Sequence, residues 1–143
     1  MKGIKVILVA VVLFIWAQSV IPPTESTEES MFVLDTIQSI IDSMGIKLEL
    51  THHFIRKAAH FTEHAVAGSL ISVLLIDDKN KLVKICVPLV CGLLIGFIDE
   101  TIQIFSGRGS MIQDVWLDFS GGLFGCFVTR TVYWLIHRSK LKQ

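Results

Sequence analysis

The chain has 143 residues, 13 basic and 13 acidic side chains, 52% apolar residues and only 18% charged ones. A mean hydropathy of +0.62 and that low charge, against about 25% in an ordinary soluble domain, exclude a disordered chain, a disulfide-stapled secreted module and a basic nucleic-acid binder. The length allows one domain, and the apolar residues stand in blocks that leave too little polar surface for a soluble helical protein.

Crossing the hydrocarbon core takes ~20 mostly apolar residues, with a working range of about 17–25. The first such block is residues 4–21. Pro22 and Pro23 end it, because proline cannot continue a helix ladder. Its Lys2 and Lys5 start and its Ala17-Gln18-Ser19 end also fit a cleaved signal peptide, which would leave the later spans oriented the same way. The acidic stretch 24–30 suits a helix N-terminus. Over about residues 30–45, Val33, Ile37, Ile40, Ile41 and Met44 share one side of a helical wheel, and Asp35, Gln38, Ser39, Asp42 and Ser43 share the other. That pattern predicts an amphipathic helix, either on the outer membrane face or over the mouth of a bundle, and Gly45 stops it.

The second span covers residues 54–76, and its first half carries Arg56, Lys57, His60, Glu63 and His64. After the polar turn Asp77-Asp78-Lys79-Asn80-Lys81, the third covers 82–98 and the fourth 115–137, with Asp118 and Arg130 inside it. The expected fold is an all-α integral membrane protein: one domain over residues 1–143, four transmembrane helices and one outer amphipathic helix between the first two. Lys and Arg in short loops set orientation. They cluster before span one, between spans two and three, and after span four, which makes both termini cytoplasmic and the localisation a multi-pass cytoplasmic membrane. Eleven of the thirteen acids then fall on the outer side.

With that orientation, three helices bring ionisable residues to one depth. Arg56 to His64 begin span two; Asp99, Glu100 and Gln103 end span three; Arg108 is in the loop; Asp114 and Asp118 begin span four. A charge at a helix centre in lipid costs about 2.5–3.5 kcal/mol, and less near the ends. Such residues should face each other or water. At 100° per residue, Arg56, His60 and Glu63 lie within about 60° of one another. Asp114 and Asp118 share a face that Gly121 and Gly125 continue, and a Gly-x-x-x-Gly pair lets another backbone approach. The expected site is a partly hydrated polar funnel opening outward, and Phe97, Phe105 and Phe119 are expected to pack.

The constellation Arg56-Lys57-x-x-His60-x-x-Glu63, Asp99-Glu100-x-x-Gln103, Arg108, Asp114 and Asp118-x-x-Gly121-x-x-x-Gly125 resembles the VanZ-like bacterial membrane proteins over roughly residues 50–128. The resemblance implies a small multi-span protein associated with resistance to teicoplanin-type glycopeptides. It carries polar positions onto Arg56, His60, Glu63, Asp99, Glu100, Gln103, Arg108, Asp114 and Asp118. His64 stands where an aromatic residue is usual, and Asp118 where Asn is common.

His60-Phe61-Thr62-Glu63-His64 also spells H-x-x-E-H, a zinc-peptidase motif in which two His one turn apart hold the metal. Glu100 or Asp99 could complete a set with His60 and His64, with Glu63 as base. The motif has only three fixed positions, in a helix already crowded with polar residues, so no metal and no cofactor are expected. Cys86, Cys91 and Cys126 read as small packing residues inside spans.

Buried ion pairs are weak glue, since desolvation offsets much of their attraction. A cluster of this size points to function instead. The leading expectation is binding or protection of an anionic envelope lipid or lipid-linked component, with Arg56, Lys57, Gln103, Arg108, Asp114 and Asp118 as ligand contacts. The alternative is a membrane hydrolase or transferase acting on such a lipid through His60 with Glu63, or Asp99 with Glu100. A proton-coupled transporter ranks third, because the charges lie on one side and four spans would need a homo-oligomer. Nucleic acid is not an expected partner.

Overall fold

The computed structural model describes residues 2–109 and 111–140 and is all α among them. Its five helices are α1 (Lys2–Val20), α2 (Pro23–Ser43), α3 (His52–Leu74), α4 (Lys81–Phe105) and α5 (Ile112–Lys140).

Two boundaries differ most from the sequence pattern, the others by three residues or fewer. The amphipathic helix begins at Pro23 and not near residue 30. Proline lacks only an N–H that the first helical turn leaves unused, so the residues that end α1 also start α2. Helix α4 runs on to Phe105, beyond the expected end at residue 98. Asp99, Glu100 and Gln103 are buried there with polar neighbours, so they continue the helix where an exposed polar run would have ended it.

Local chemistry fixes the other ends. Thr51 Oγ1 accepts from the Phe54 N–H at 3.2 Å and opens α3, and Asn80 Oδ1 accepts from the Leu82 N–H at 2.9 Å and opens α4. Gly107, with φ of +75°, turns the chain out of α4, and the Arg108 N–H returns to the Gln103 carbonyl at 2.9 Å. Gln38 ties the α2–α3 linker back to α2, donating to the Leu48 carbonyl at 2.8 Å and accepting from the Leu50 N–H at 3.0 Å.

Helices α1 and α4 finish, and α3 and α5 start, at the same end of the bundle, as the Ser19–Asp99 and Lys57–Asp114 contacts require. The α3–α5 pair is the tightest. A Cβ on Gly125 would lie 1.9 Å from the Ala65 carbonyl oxygen, one on Gly121 2.4 Å from that of Phe61, and one on Gly68 2.0 Å from that of Gly122. Ser69 Oγ donates to the Gly125 carbonyl at 3.1 Å and Cys126 Sγ to that of Gly68 at 3.0 Å, stitching the close backbones together. All three cysteines are free thiols.

Burial is inverted relative to a soluble protein. The buried apolar residues are Ile15, Ile55, Ala67, Ile71 and Cys126, while the buried polar ones include His64, Asp99, Glu100, Gln103, Asp114 and Asp118. Large apolar side chains cover the outside. Phe97 and Phe105, expected to pack, are 60% and 86% exposed, whereas Phe119 packs edge-on against Trp116 with ring centres 6.0 Å apart. Helices α1 and α4 are long and apolar enough to cross a membrane, by length and composition, and both are largely unburied.

Pro88 sits inside α4. Proline cannot donate to the carbonyl four residues earlier, which here belongs to Lys84. The Arg130 guanidinium of α5 donates to that same carbonyl, and Lys84 Nζ reaches across to the Ile76 carbonyl at 2.7 Å. Arg130 thus satisfies a group that Pro88 leaves open. Arg130→Ala should cost about 1 kcal/mol, the low end of the penalty for an unsatisfied polar group, because the Lys84 carbonyl is only partly buried. In a Pro88→Ala background the cost should shrink, because the restored N–H takes over the carbonyl. Thermal unfolding of the four proteins in detergent reads the difference; an equal Arg130→Ala cost in both backgrounds would refute the pairing.

Candidate functional site

The polar residues gather where α3, α4 and α5 meet under the end of α1. Along α3, one-turn spacing stacks His60 and His64, with ring centres 6.4 Å apart. His60 Nδ1 lies 3.3 Å from Asp99 Oδ2 and 3.7 Å from Asp118 Oδ1. His64 Nδ1 is 2.9 Å from the His60 carbonyl and 3.6 Å from Asp118 Oδ1. Gly96, one turn before Glu100, lets α5 close in: its missing Cβ would meet Asp118 Cβ at 3.0 Å.

The carboxylates are deeply buried, with Asp99 0%, Asp118 1% and Glu100 4% exposed. Removing such groups from water is costly unless they are paired and hydrogen-bonded. Gln103 supplies part of that, donating to Asp99 Oδ2 at 3.2 Å and Glu100 Oε1 at 3.1 Å. Ser19 of α1 supplies more by donating its hydroxyl to Asp99 Oδ1. Both oxygens of Asp118 are buried with no hydrogen-bond partner among the described residues.

Toward the end of the bundle, Lys57 pairs with Asp114 at 3.0 Å. Arg108 is 7% exposed and donates to the Gln18 carbonyl at 2.7 Å. Ser106 donates to the Ser19 carbonyl at 2.8 Å. Two spaces result. A small one of about 10 Å³ is lined by Arg56, Lys57, His60, Glu100, Gln103, Asp114, Leu117 and Asp118. A recess of about 140 Å³ is lined by Gln18, Ser30, Val33, Ile55, Arg56, Ala59, His60, Glu63 and Arg108. The expected open funnel is therefore a packed cluster with a modest recess beside it, because the helices close over their own charges.

The sequence-nominated residues divide accordingly. His60, Asp99, Glu100, Gln103 and Asp118 form the buried cluster, with His64 behind Asp118. Arg56, Arg108, His60 and Glu63 face the recess. Lys57 and Asp114 occupy each other. The two histidines of the H-x-x-E-H spacing do come together, with Asp118 as the third potential ligand in place of Glu100, and a second group joins His60 to Asp99, Glu100 and Asp118. Ser19, Gln18 and Gly68 were not anticipated. The available signal was a lone Ser at the end of an apolar span and a Gly-Ser step in α3, neither of which names its partner.

The VanZ/LLP1 family pattern matches residues 5–135 of the chain. No curated protein and no solved structure matches it.

Proposed function

The chain belongs to the VanZ/LLP1 family, and on that premise we propose a multi-pass protein of the bacterial cytoplasmic membrane. In this reading its outward-facing recess binds an anionic headgroup of an envelope lipid or lipid-linked component, with a link to resistance against teicoplanin-type glycopeptides. Helices α1, α3, α4 and α5 span, alternating in direction, and α2 lies at the outer surface with its exposed Val33, Ile37 and Ile40 in the interface. Both termini are cytoplasmic by the positive-inside bias. The charges of α3 and α5 are tolerated because they face the bundle interior.

The observation that carries the reading is the pair Arg56 and Arg108 on one recess of about 140 Å³. The space suits a phosphate or carboxylate group and leaves a lipid's chains to the bilayer. Arg presents a planar fork of donors to such groups, and the Gln18 carbonyl holds Arg108 in place. The test is thermal unfolding of the purified protein in detergent with phosphatidylglycerol, a polyprenyl phosphate or phosphatidylcholine. The two anionic lipids should stabilise wild type by about 2.7 kcal/mol at a hundredfold excess over Kd, and phosphatidylcholine should not. Arg108→Ala should abolish the effect, and Arg108→Lys should not restore it. In cells the same substitutions should remove any glycopeptide resistance the wild type confers. No stabilisation by either anionic lipid would sink the reading.

A second reading is favoured by His60 and Glu63, which line the recess together. It makes the protein a membrane hydrolase or transferase, with these two, or Asp99 and Glu100, as acid and base. A changed lipid profile in expressing cells, lost in His60→Ala at normal protein abundance, would distinguish catalysis from binding.

A further inference from the structure

We propose that His60, Asp99, Glu100 and Asp118 form a site for one divalent cation of the oxygen-preferring kind, manganese or magnesium. One potential ligand atom from each of the four lies within 4.8 Å of all the others. A magnesium-sized ion binds oxygen at about 2.0–2.1 Å, so ligands on opposite sides of it stand about 4.2 Å apart. The four residues come from three helices, and each is held there by packing that the sequence builds in: Gly96 against Asp118, and the α3–α5 glycines below.

Three features favour an ion over a simple salt-bridge cluster. First, Asp118 is 1% exposed, and both of its carboxylate oxygens are buried without a hydrogen-bond partner among the described residues. An ionised carboxylate in that state is costly unless a cation completes it. Second, the other carboxylates are already oriented from outside. Ser19 holds Asp99 Oδ1, and Gln103 holds Asp99 Oδ2 and Glu100 Oε1. Outer partners that fix ligand direction are what a metal site requires. Third, the adjoining space of about 10 Å³ has room for an ion or a single water and little else.

The donor set also selects the metal. Three carboxylates and one imidazole favour manganese or magnesium over zinc, which prefers nitrogen and sulfur donors in a four-coordinate shell. His64 is outside the proposed set of four, although it forms a smaller possible group with His60 and Asp118. Its Nδ1 sits 2.9 Å from the His60 carbonyl, as a donor would, so His64 supports the backbone of α3. The site thus differs from the zinc arrangement that the H-x-x-E-H spacing suggests. Its occupancy would offset two of the three carboxylate charges beside the arginine-lined recess, since His60 borders both spaces. The inference goes beyond headgroup binding and stands without it, because the ion is read with no lipid present.

The experiment uses the full chain in detergent, stripped with EDTA and titrated with manganese chloride while the free-ion EPR signal is followed. Wild type should take up one ion per chain, melt at a higher temperature when loaded, and show the nitrogen coupling of one imidazole in pulsed EPR. Magnesium should compete. Asp118→Asn and Glu100→Gln should each weaken binding by at least about 10-fold, the lower end of the range seen even for outer-shell changes. His60→Ala should remove the nitrogen coupling, and His64→Gln should keep it. No saturable uptake by wild type would overturn the proposal, whatever the variants do. So would zinc preference lost in His64→Gln, or binding unchanged in both carboxamide variants. If Asp118→Asn fails to fold, Glu100→Gln and the wild-type spectrum decide.

Discussion

Gly125→Ala and Gly68→Ala are each expected to cost about 1–3 kcal/mol or more of stability, and Gly125→Leu to leave no monodisperse protein. The added Cβ would sit 1.9 Å from the Ala65 carbonyl oxygen at position 125 and 2.0 Å from that of Gly122 at position 68. These obstacles are backbone, so no side-chain rotation relieves them. To reach even 3.0 Å, α5 must back away from α3 by about 1 Å. In a packed bundle that shift also stretches the Lys57–Asp114 pair at 3.0 Å and the His60–Asp118 approach at 3.7 Å. Glycine inside a helix costs about 1 kcal/mol relative to alanine, so its presence here is offset by the contact it permits. Gly92→Ala is the internal control. Its Cβ would meet only the Phe119 ring, at 3.6 Å, so the change should be neutral or stabilising. Thermal unfolding and size-exclusion profiles in detergent check the series. A Gly125→Ala protein as stable as Gly92→Ala would refute the close approach.

How much of this was legible in the sequence follows from what each feature depends on. Ionisable residues inside apolar blocks stand out, and helical spacing already grouped Arg56 with His60 and Glu63, and Asp114 with Asp118. Reading depth from the loop charges then set Asp99 and Glu100 beside them. The helical class and the family came from the same patterns. Partner choice within the cluster was hidden, because it depends on side-chain reach across helices. Lys57 adjoins Arg56, and Asp114 lies one turn from Asp118, so several pairings were open and only packing selects the pair at 3.0 Å. Gly68 was missed because its neighbour Gly122 is offset by one from the Gly121–Gly125 repeat. Arg130 reads in the sequence as one more basic residue at the end of span four. Its partner is a carbonyl exposed by Pro88, and a backbone group carries no mark in a sequence. The extension of α4 to Phe105 was missed for a related reason: Asp-Glu at a span's end reads as a terminus until its burial is known.

The least legible part was α1, which reads as an anchor or a leader and proves to supply a wall of the site. Ser19→Val tests that role. The hydroxyl lies within reach of both the Ile15 carbonyl, at 3.3 Å, and Asp99 Oδ1. The carboxylate is the charged acceptor and takes the proton. Valine removes the donor but adds a methyl group at a position 1% exposed, so the double-mutant coupling isolates the hydrogen bond; the change leaves a carboxylate that is 0% exposed short of one hydrogen bond. Hydrogen bonds to charged groups contribute about 1.5–3 kcal/mol, so Ser19→Val should lower stability by that order. In an Asp99→Asn background the acceptor is neutral, and the cost should fall, giving a coupling of about 0.5–3 kcal/mol between residues eighty positions apart. Ser120→Val is the control, since Ser120 is exposed and donates only within α5, to the Leu117 carbonyl at 2.6 Å. It should fall within about 0.5 kcal/mol of wild type. If Ser19→Val costs no more than Ser120→Val, α1 is an anchor alone. If the coupling appears, the end of α1 belongs to the polar cluster, and the protein needs this helix in place to hold Asp99 in position.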